Sequence, residues 1–165
     1  MNTKQLYRAL MQNPVTKNYF DGVYSKDTLE DIDSRPCLLI TNTADSSHRG
    51  KHWVLFYFDA KKKQGEFFDS LGNDVNVYGK ELVDFISRFS SSYVFTTTRT
   101  QPKNTSLCGV YCLFFAYWKC QGKSFDDIVA KLLKMKPQKV CRFVNKIYAL
   151  CDAFPSQLVQ CCTKK

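Results

Sequence analysis

Apolar positions along the chain repeat with two periods, and the changes between them mark out its elements. Thr3 to Gln12 brings Leu6, Tyr7, Leu10 and Met11 to one side of a 3.6-residue repeat, which predicts an amphipathic helix. Pro36 to Ile40 reads as a buried strand. His52 to Phe58 and Gly65 to Asp69 read as two more, joined through the lysine-rich turn from Ala60 to Gly65 as a hairpin. Val77 to Phe89 is predicted helical, and Tyr93 to Thr98 alternates as a strand. The apolar stretch from Leu107 to Trp118 predicts a buried helix that opens at Cys108, its first turn capped by Thr105 or Ser106. Two further helices follow, one from Ser124 with a Ser-x-x-Asp capping box and one after Pro137. Ile128, Leu132, Val140, Phe143, Val144, Ile147 and Leu150 recur at helical spacing there and are expected to face inward. The implied fold class is α+β, a small, mainly antiparallel sheet packed against helices.

There is no internal repeat, low-complexity tract or linker, and 165 residues suit a single domain spanning residues 1–165. Aromatic residues make up 15% of the chain, as expected of a core built on Phe- and Tyr-rich strands. No apolar run approaches the ~18 residues of a membrane span, and the N-terminus lacks the apolar region of a signal peptide. The expectation is a protein that is not secreted and has no membrane partner. Eight cysteines would suit a disulfide scaffold in a short secreted chain, but Cys108, Cys112, Cys120, Cys141 and Cys151 fall at helix-like positions. No Cys-x-x-Cys pair occurs and neither histidine lies near the cysteine-rich half, so no metal site is expected. Reduced thiols in a cytosolic or nuclear compartment fit better, with the adjacent Cys161 and Cys162 exposed and oxidisable.

Charge is unevenly placed. From Lys119 to Lys165 there are ten Lys or Arg against three Asp, a net +7 of the chain's +9. Lys131, Lys134, Lys136, Lys139, Arg142 and Lys146 belong to the two C-terminal helices. Such a face either keeps the protein soluble or attracts a polyanion.

The candidate chemistry centres on Cys108. A cysteine attacks as the thiolate, and both the start of a helix and a nearby imidazole favour that form. Of the two histidines, His48 lies in the polar stretch from Asp45 to Gly50, whereas His52 opens a strand where a base can face a cleft. The hairpin would bring Asp69 near His52, to hold one ring nitrogen while the other takes the thiol proton. Gln101 would donate its amide to the developing oxyanion. Each residue taken alone has an ordinary structural reading.

These residues resemble the adenovirus-type cysteine endopeptidases, adenain-like enzymes within the wider group that includes the SUMO and ubiquitin-like-specific proteases. The order His52, Asp69, Gln101, Cys108 is theirs, and His52-Trp53, Phe68-Asp69-Ser70-Leu71-Gly72 and Cys108-Gly109 resemble family segments. Tyr19 to Tyr24 and Thr41 to Ala44 extend the likeness, which covers roughly Tyr19 to Lys123. Asp69 stands where adenain has glutamate, as in the SUMO-protease branch. The seven-residue step from Gln101 to Cys108, and Leu107 before Cys108, look like the adenain branch. The stretch Arg88 to Phe95 has no cysteine to match the one that receives adenain's activating peptide.

The resemblance implies an adenain-like fold and a cysteine endopeptidase with His52, Asp69, Gln101 and Cys108 catalytic. Trp53 would shape a narrow approach for substrate. Implied substrates are viral or virus-like transposon precursor proteins, capsid precursors among them, cut after glycine-containing sequences for virion maturation. DNA and an activating peptide are the implied cofactors, with DNA reached through the C-terminal basic helices and no metal or small molecule required. The implied place of action is the host nucleus or cytoplasm, or the virion. Two other readings stand beside this one: an isopeptidase for SUMO or ubiquitin-like modifiers, and a basic nucleic-acid-binding protein without enzymatic activity.

Overall fold

The computed structural model describes residues 1–61 and 63–150. Cys151, Cys161 and Cys162 lie outside the described residues. The elements run α1 (Thr3–Gln12), β1 (Phe20–Ser25), β2 (Cys37–Asn42), β3 (Trp53–Phe58), β4 (Gln64–Phe68), α2 (Lys80–Phe89), β5 (Ser92–Phe95), α3 (Cys108–Cys120), α4 (Phe125–Lys134) and α5 (Pro137–Tyr148). The strands form one sheet in the order β1-β2-β3-β4-β5.

The fold class is α+β, but the sheet is mixed where the sequence suggested a mainly antiparallel one. β2, β3 and β4 pair antiparallel, while each edge strand joins parallel. A parallel neighbour needs a crossover, and α2 supplies it between β4 and β5.

Side-chain alternation sends β2 and β3 into two cores. Leu38, Ile40, Leu55, Tyr57 and Phe68 pack with α1, α3, α4 and α5. Leu39, Val54, Phe56, Phe58 and Phe67 pack with Leu82, Phe85 and Ile86 of α2. Both faces are covered, so every residue of β2 and β3 is buried, and their apolar runs are continuous for that reason. α3 crosses the first core almost wholly buried, with Phe115 stacked on Phe68 at 4.4 Å between ring centroids.

The C-terminal helices follow their pattern. Ser124 caps α4 by accepting from Asp127 N, and Pro137 opens α5. Ile128, Leu132, Val140, Val144 and Leu150 are buried, while Phe143 and Ile147 are partly buried against the same core. Among the described residues no helix is long and apolar enough to cross a membrane.

Three local expectations are corrected. The helix expected from Val77 begins only at Lys80, because Gly79 takes φ +108° and separates it from a 3-10 turn, Val75–Tyr78, whose N-cap is Asp74. The strand expected to run to Thr98 ends at Phe95. Neither Thr105 nor Ser106 caps α3. Leu107 holds the N-cap position without a side-chain bond, and the Thr105 hydroxyl donates to the Pro102 carbonyl instead.

Candidate active site

β3 and β4 pair with Leu55 opposite Phe68, so the residues leading into β3 and those leaving β4 emerge at one end of the sheet. His52 stands immediately before β3 and Asp69 immediately after β4. The ring Nε2–H of His52 donates to Asp69 Oδ1 at 2.6 Å, and both side chains are buried. With Nε2 engaged, Nδ1 is the nitrogen left for Cys108, whose thiol interacts with the imidazole from the first position of α3. His48 takes no part in this cluster: it is exposed beside Asp45.

Burial opposes charge on all three groups, and their mutual contacts overcome it. Burial would lower the imidazole pKa of His52, but hydrogen bonds to Asp69 and Cys108 raise it to about 9. Burial would raise the Cys108 thiol, yet the imidazole and backbone hydrogen bonds at Trp53 and Gly109 hold it below the ordinary thiol range. Asp69 is likewise held below the usual carboxylate range, against its burial, by hydrogen bonds from His52 and Tyr78. A lowered thiol facing a raised imidazole favours a thiolate–imidazolium pair. Cys37, Cys112 and Cys120 show the contrast: burial without such partners pushes their thiols up.

This pair predicts a bell-shaped pH profile for kcat/KM. Activity should rise as Cys108 ionises and fall as the imidazolium loses its proton near pH 9. Rates measured across the neutral and alkaline range test it; an alkaline limb near the ordinary imidazole value of 6.5 would mean that the pair is not coupled.

Gln101 reaches the site through a loop braced on the acid turn. The Ser70 carbonyl accepts from Thr100 N and Gln101 N at 2.9 and 3.1 Å, and the Ser70 hydroxyl donates to Gln101 Oε1 at 2.8 Å. That bond fixes the amide's orientation. Nε2 donates one hydrogen to the Thr105 carbonyl at 3.1 Å, leaving its second for an oxyanion. The start of α3 adds to this, since Leu107 at the N-cap position makes no side-chain bond to the first-turn N–H groups.

Trp53 lines the cleft that holds Cys108. Its indole N–H donates to the Met1 carbonyl at 3.1 Å, and the Cys112 thiol donates to its own carbonyl. A Cβ on Gly109 would lie 3.1 Å from Met1 Sδ and 3.4 Å from Trp53 Cδ1, so only glycine fits without displacement. A cleft of about 560 Å³ opens from Cys108 past Met1, Trp53 and Ser106 toward the loop carrying His48, Arg49 and Lys51. Gly72 makes the acid turn possible: at φ +79° a Cβ would meet the Thr98 and Arg99 backbone at 2.6 and 2.7 Å.

A protein-family profile described as "Ulp1 protease family, C-terminal catalytic domain" matches residues 11–155, most of the chain. The chain belongs to the Ulp1 protease family. The matched domain is that of a cysteine protease. Solved structures bear on the fold of this Ulp1-family protease. The Se-Met ASFV pS273R protease is 22% identical over 69% of this chain and 44% of its own, with a TM-score of 0.51. A second structure of the ASFV pS273R protease is 15% identical over 89% and 66%, with a TM-score of 0.54. The chain thus spans between 44% and 66% of the length of these proteases, and they share its fold. No curated protein matches it by sequence. Among the described residues of the Ulp1-family protease, no group of three or more His, Cys, Asp or Glu is arranged to hold a metal ion.

Three contributors to the site escaped the sequence reading: Ser70, Tyr78 and Met1. A serine beside the acid, a tyrosine in a stretch that reads as helix and a methionine carry no pattern that marks them.

Proposed function

We propose that this protease is a maturation endopeptidase of a virus or virus-like transposon, cutting capsid precursors after glycine-containing sequences. In this reading the Cys108 thiolate attacks the scissile carbonyl carbon, and the carbonyl electron pair moves onto oxygen. The second Nε2 hydrogen of Gln101 and the Cys108 backbone N–H hold that oxyanion. The His52 imidazolium gives its proton to the leaving amine as the C–N bond breaks, leaving a thioester. Neutral His52 then takes a proton from water, whose oxygen attacks the thioester and releases the thiolate. Asp69 keeps the ring oriented throughout.

The observation that carries the reading is the buried His52–Asp69 pair set beside Cys108 and Gln101, at the end of a cleft lined by Met1 and Trp53 that an extended glycine-containing segment could enter. Leu107 before Cys108, the seven-residue step from Gln101, and the viral origin of the ASFV proteases favour the adenain-like branch within the family. The match to the Ulp1 profile favours a second reading, an isopeptidase for SUMO or ubiquitin-like modifiers.

Mass-spectrometric cleavage profiling of a diverse peptide library, with Cys108→Ala as control and a SUMO-derived covalent probe in parallel, separates the two. Cleavage after glycine with no probe labelling supports maturation. Labelling without peptide cleavage supports the isopeptidase. We further infer DNA as a cofactor, from the exposed Lys131, Lys134, Lys136, Lys139, Arg142 and Lys146 on and beside α4 and α5, and an activating peptide as a second candidate. Duplex DNA should raise the cleavage rate, and its affinity should fall with added salt; affinity indifferent to salt would sink the idea. The host nucleus or cytoplasm, or the virion, is the setting this reading implies.

A further inference from the structure

Asp69 is surrounded more completely than orienting an imidazole requires. Its Oδ1 accepts from His52 Nε2 at 2.6 Å and from Leu71 N at 2.8 Å. Its Oδ2 accepts from Asn73 N at 3.0 Å and from the Tyr78 hydroxyl at 2.7 Å. Two of the four donors are backbone groups of the acid turn, which leaves Tyr78 as the side-chain donor on the oxygen that His52 does not use.

Tyr78 is placed there by the break before α2. In the 3-10 turn its neighbour Val77 points outward at 65% exposure, while the tyrosine turns in over the site. Its ring lies 5.9 Å from the His52 imidazole at a 31° tilt and also contacts Phe67. The hydroxyl is itself engaged, accepting from Asn73 Nδ2 at 2.9 Å while donating to Asp69. Asn73 through Tyr78 from one side and His52 from the other thus converge on Asp69, which accepts from both. In such chains each donor is strengthened by the bond it accepts.

We propose that Tyr78 is a positioning residue for the His52–Cys108 pair, its hydroxyl fixing the plane of the Asp69 carboxylate, with Asn73 acting through it. The inference rests on these residues being the machinery of the protease. The Tyr78 hydroxyl bonds Asp69 and Asn73, so its effect is read through Asp69. The charged and titratable groups facing Asp69 are His52 and Tyr78, with Cys108 beyond the imidazole. Removing the hydroxyl frees the carboxylate plane, so Asp69 holds the His52 imidazolium less well, and the Cys108 thiol, whose ionisation sets the acid limb, ionises at a higher pH.

The test is Tyr78→Phe, which keeps the ring. Two profiles against pH are measured: kcat/KM on a glycine-containing peptide, and the rate of Cys108 alkylation by iodoacetamide, followed by mass spectrometry on the Cys108 peptide. The expected result is an acid limb moved to higher pH in both profiles, with kcat/KM at neutral pH down about ten-fold. Asn73→Ala, which retains its backbone N–H, should shift the limb the same way by less. The double variant should be no worse than Tyr78→Phe alone. Unshifted acid limbs overturn the proposal, whether activity is retained or is lost in proportion to alkylatable Cys108, the signature of a merely structural role. If Tyr78→Phe fails to fold, Asn73→Ala decides by the same criterion. The alkylation profile needs no substrate, so it stands even if the proposed glycine-containing peptides are not cleaved.

Discussion

Cys108→Ala should remain folded and lose peptidase activity by a factor on the order of 10⁴ or more, the scale of losing a covalent nucleophile. The residue opens α3 at an intermediate depth, and alanine is at least as good a helix former, so the neighbouring core is undisturbed. What disappears is the sulfur that hydrogen-bonds His52 and the backbone of Trp53 and Gly109. The imidazole then loses a partner that raised its pKa, so His52 should titrate lower in the variant, though Asp69 still holds it up. Cleavage assays, thermal unfolding and an NMR titration of His52 check the three parts. Retained cleavage would show that another group does the chemistry, and loss of the fold would show that Cys108 is a packing residue.

Asp69→Asn should cost kcat/KM a factor on the order of 10³ to 10⁴. From the sequence, asparagine looks like a mild change that keeps a hydrogen-bonding group beside His52. The structure removes that route because all four neighbours of the carboxylate donate to it. An NH₂ at the Oδ2 position would face Asn73 N–H. At the Oδ1 position it would face Leu71 N–H and would drive His52 to the tautomer with its proton on Nδ1, toward Cys108. Either orientation leaves a buried donor unmatched, at a cost of about 1 to 3 kcal/mol in stability. Kinetics at neutral pH together with urea unfolding test this; a loss smaller than about ten-fold would mean the carboxylate's charge and geometry matter little. Asp69→Asn should therefore be far more damaging than Tyr78→Phe, which removes one donor and keeps the charge.

Much of this could be read from the chain because it is a local matter. The 3.6-residue repeat placed α1 at its observed bounds, and the inward positions of α4 and α5 are those the spacing indicated. A helix face must be apolar wherever it meets a core, so the pattern is written into consecutive residues. The β3–β4 hairpin was readable for a similar reason: a tight turn between two apolar runs admits one pairing, and that pairing sets His52 beside Asp69.

What escaped the sequence depends on partners far along the chain. β1 is a short edge strand with Asp21 and Gly22 in it, held by parallel pairing to β2, and nothing in its own composition announces that neighbour. The parallel edges follow from crossovers, which hydrophobic period does not encode. Gln101 is oriented by Ser70, 31 positions away, and Trp53 is tied to Met1 across 52. Tyr78 reaches Asp69 only because Gly79 breaks the helix that periodicity extended through it. The sequence by itself determined the helices, the hairpin and the order of the four candidate residues, since these are matters of period and chemical type. The tertiary structure alone decided the mixed sheet, the uncapped start of α3 and the four donors on Asp69. Each of these depends on the direction of hydrogen bonds between segments, and that direction exists only once the segments have packed.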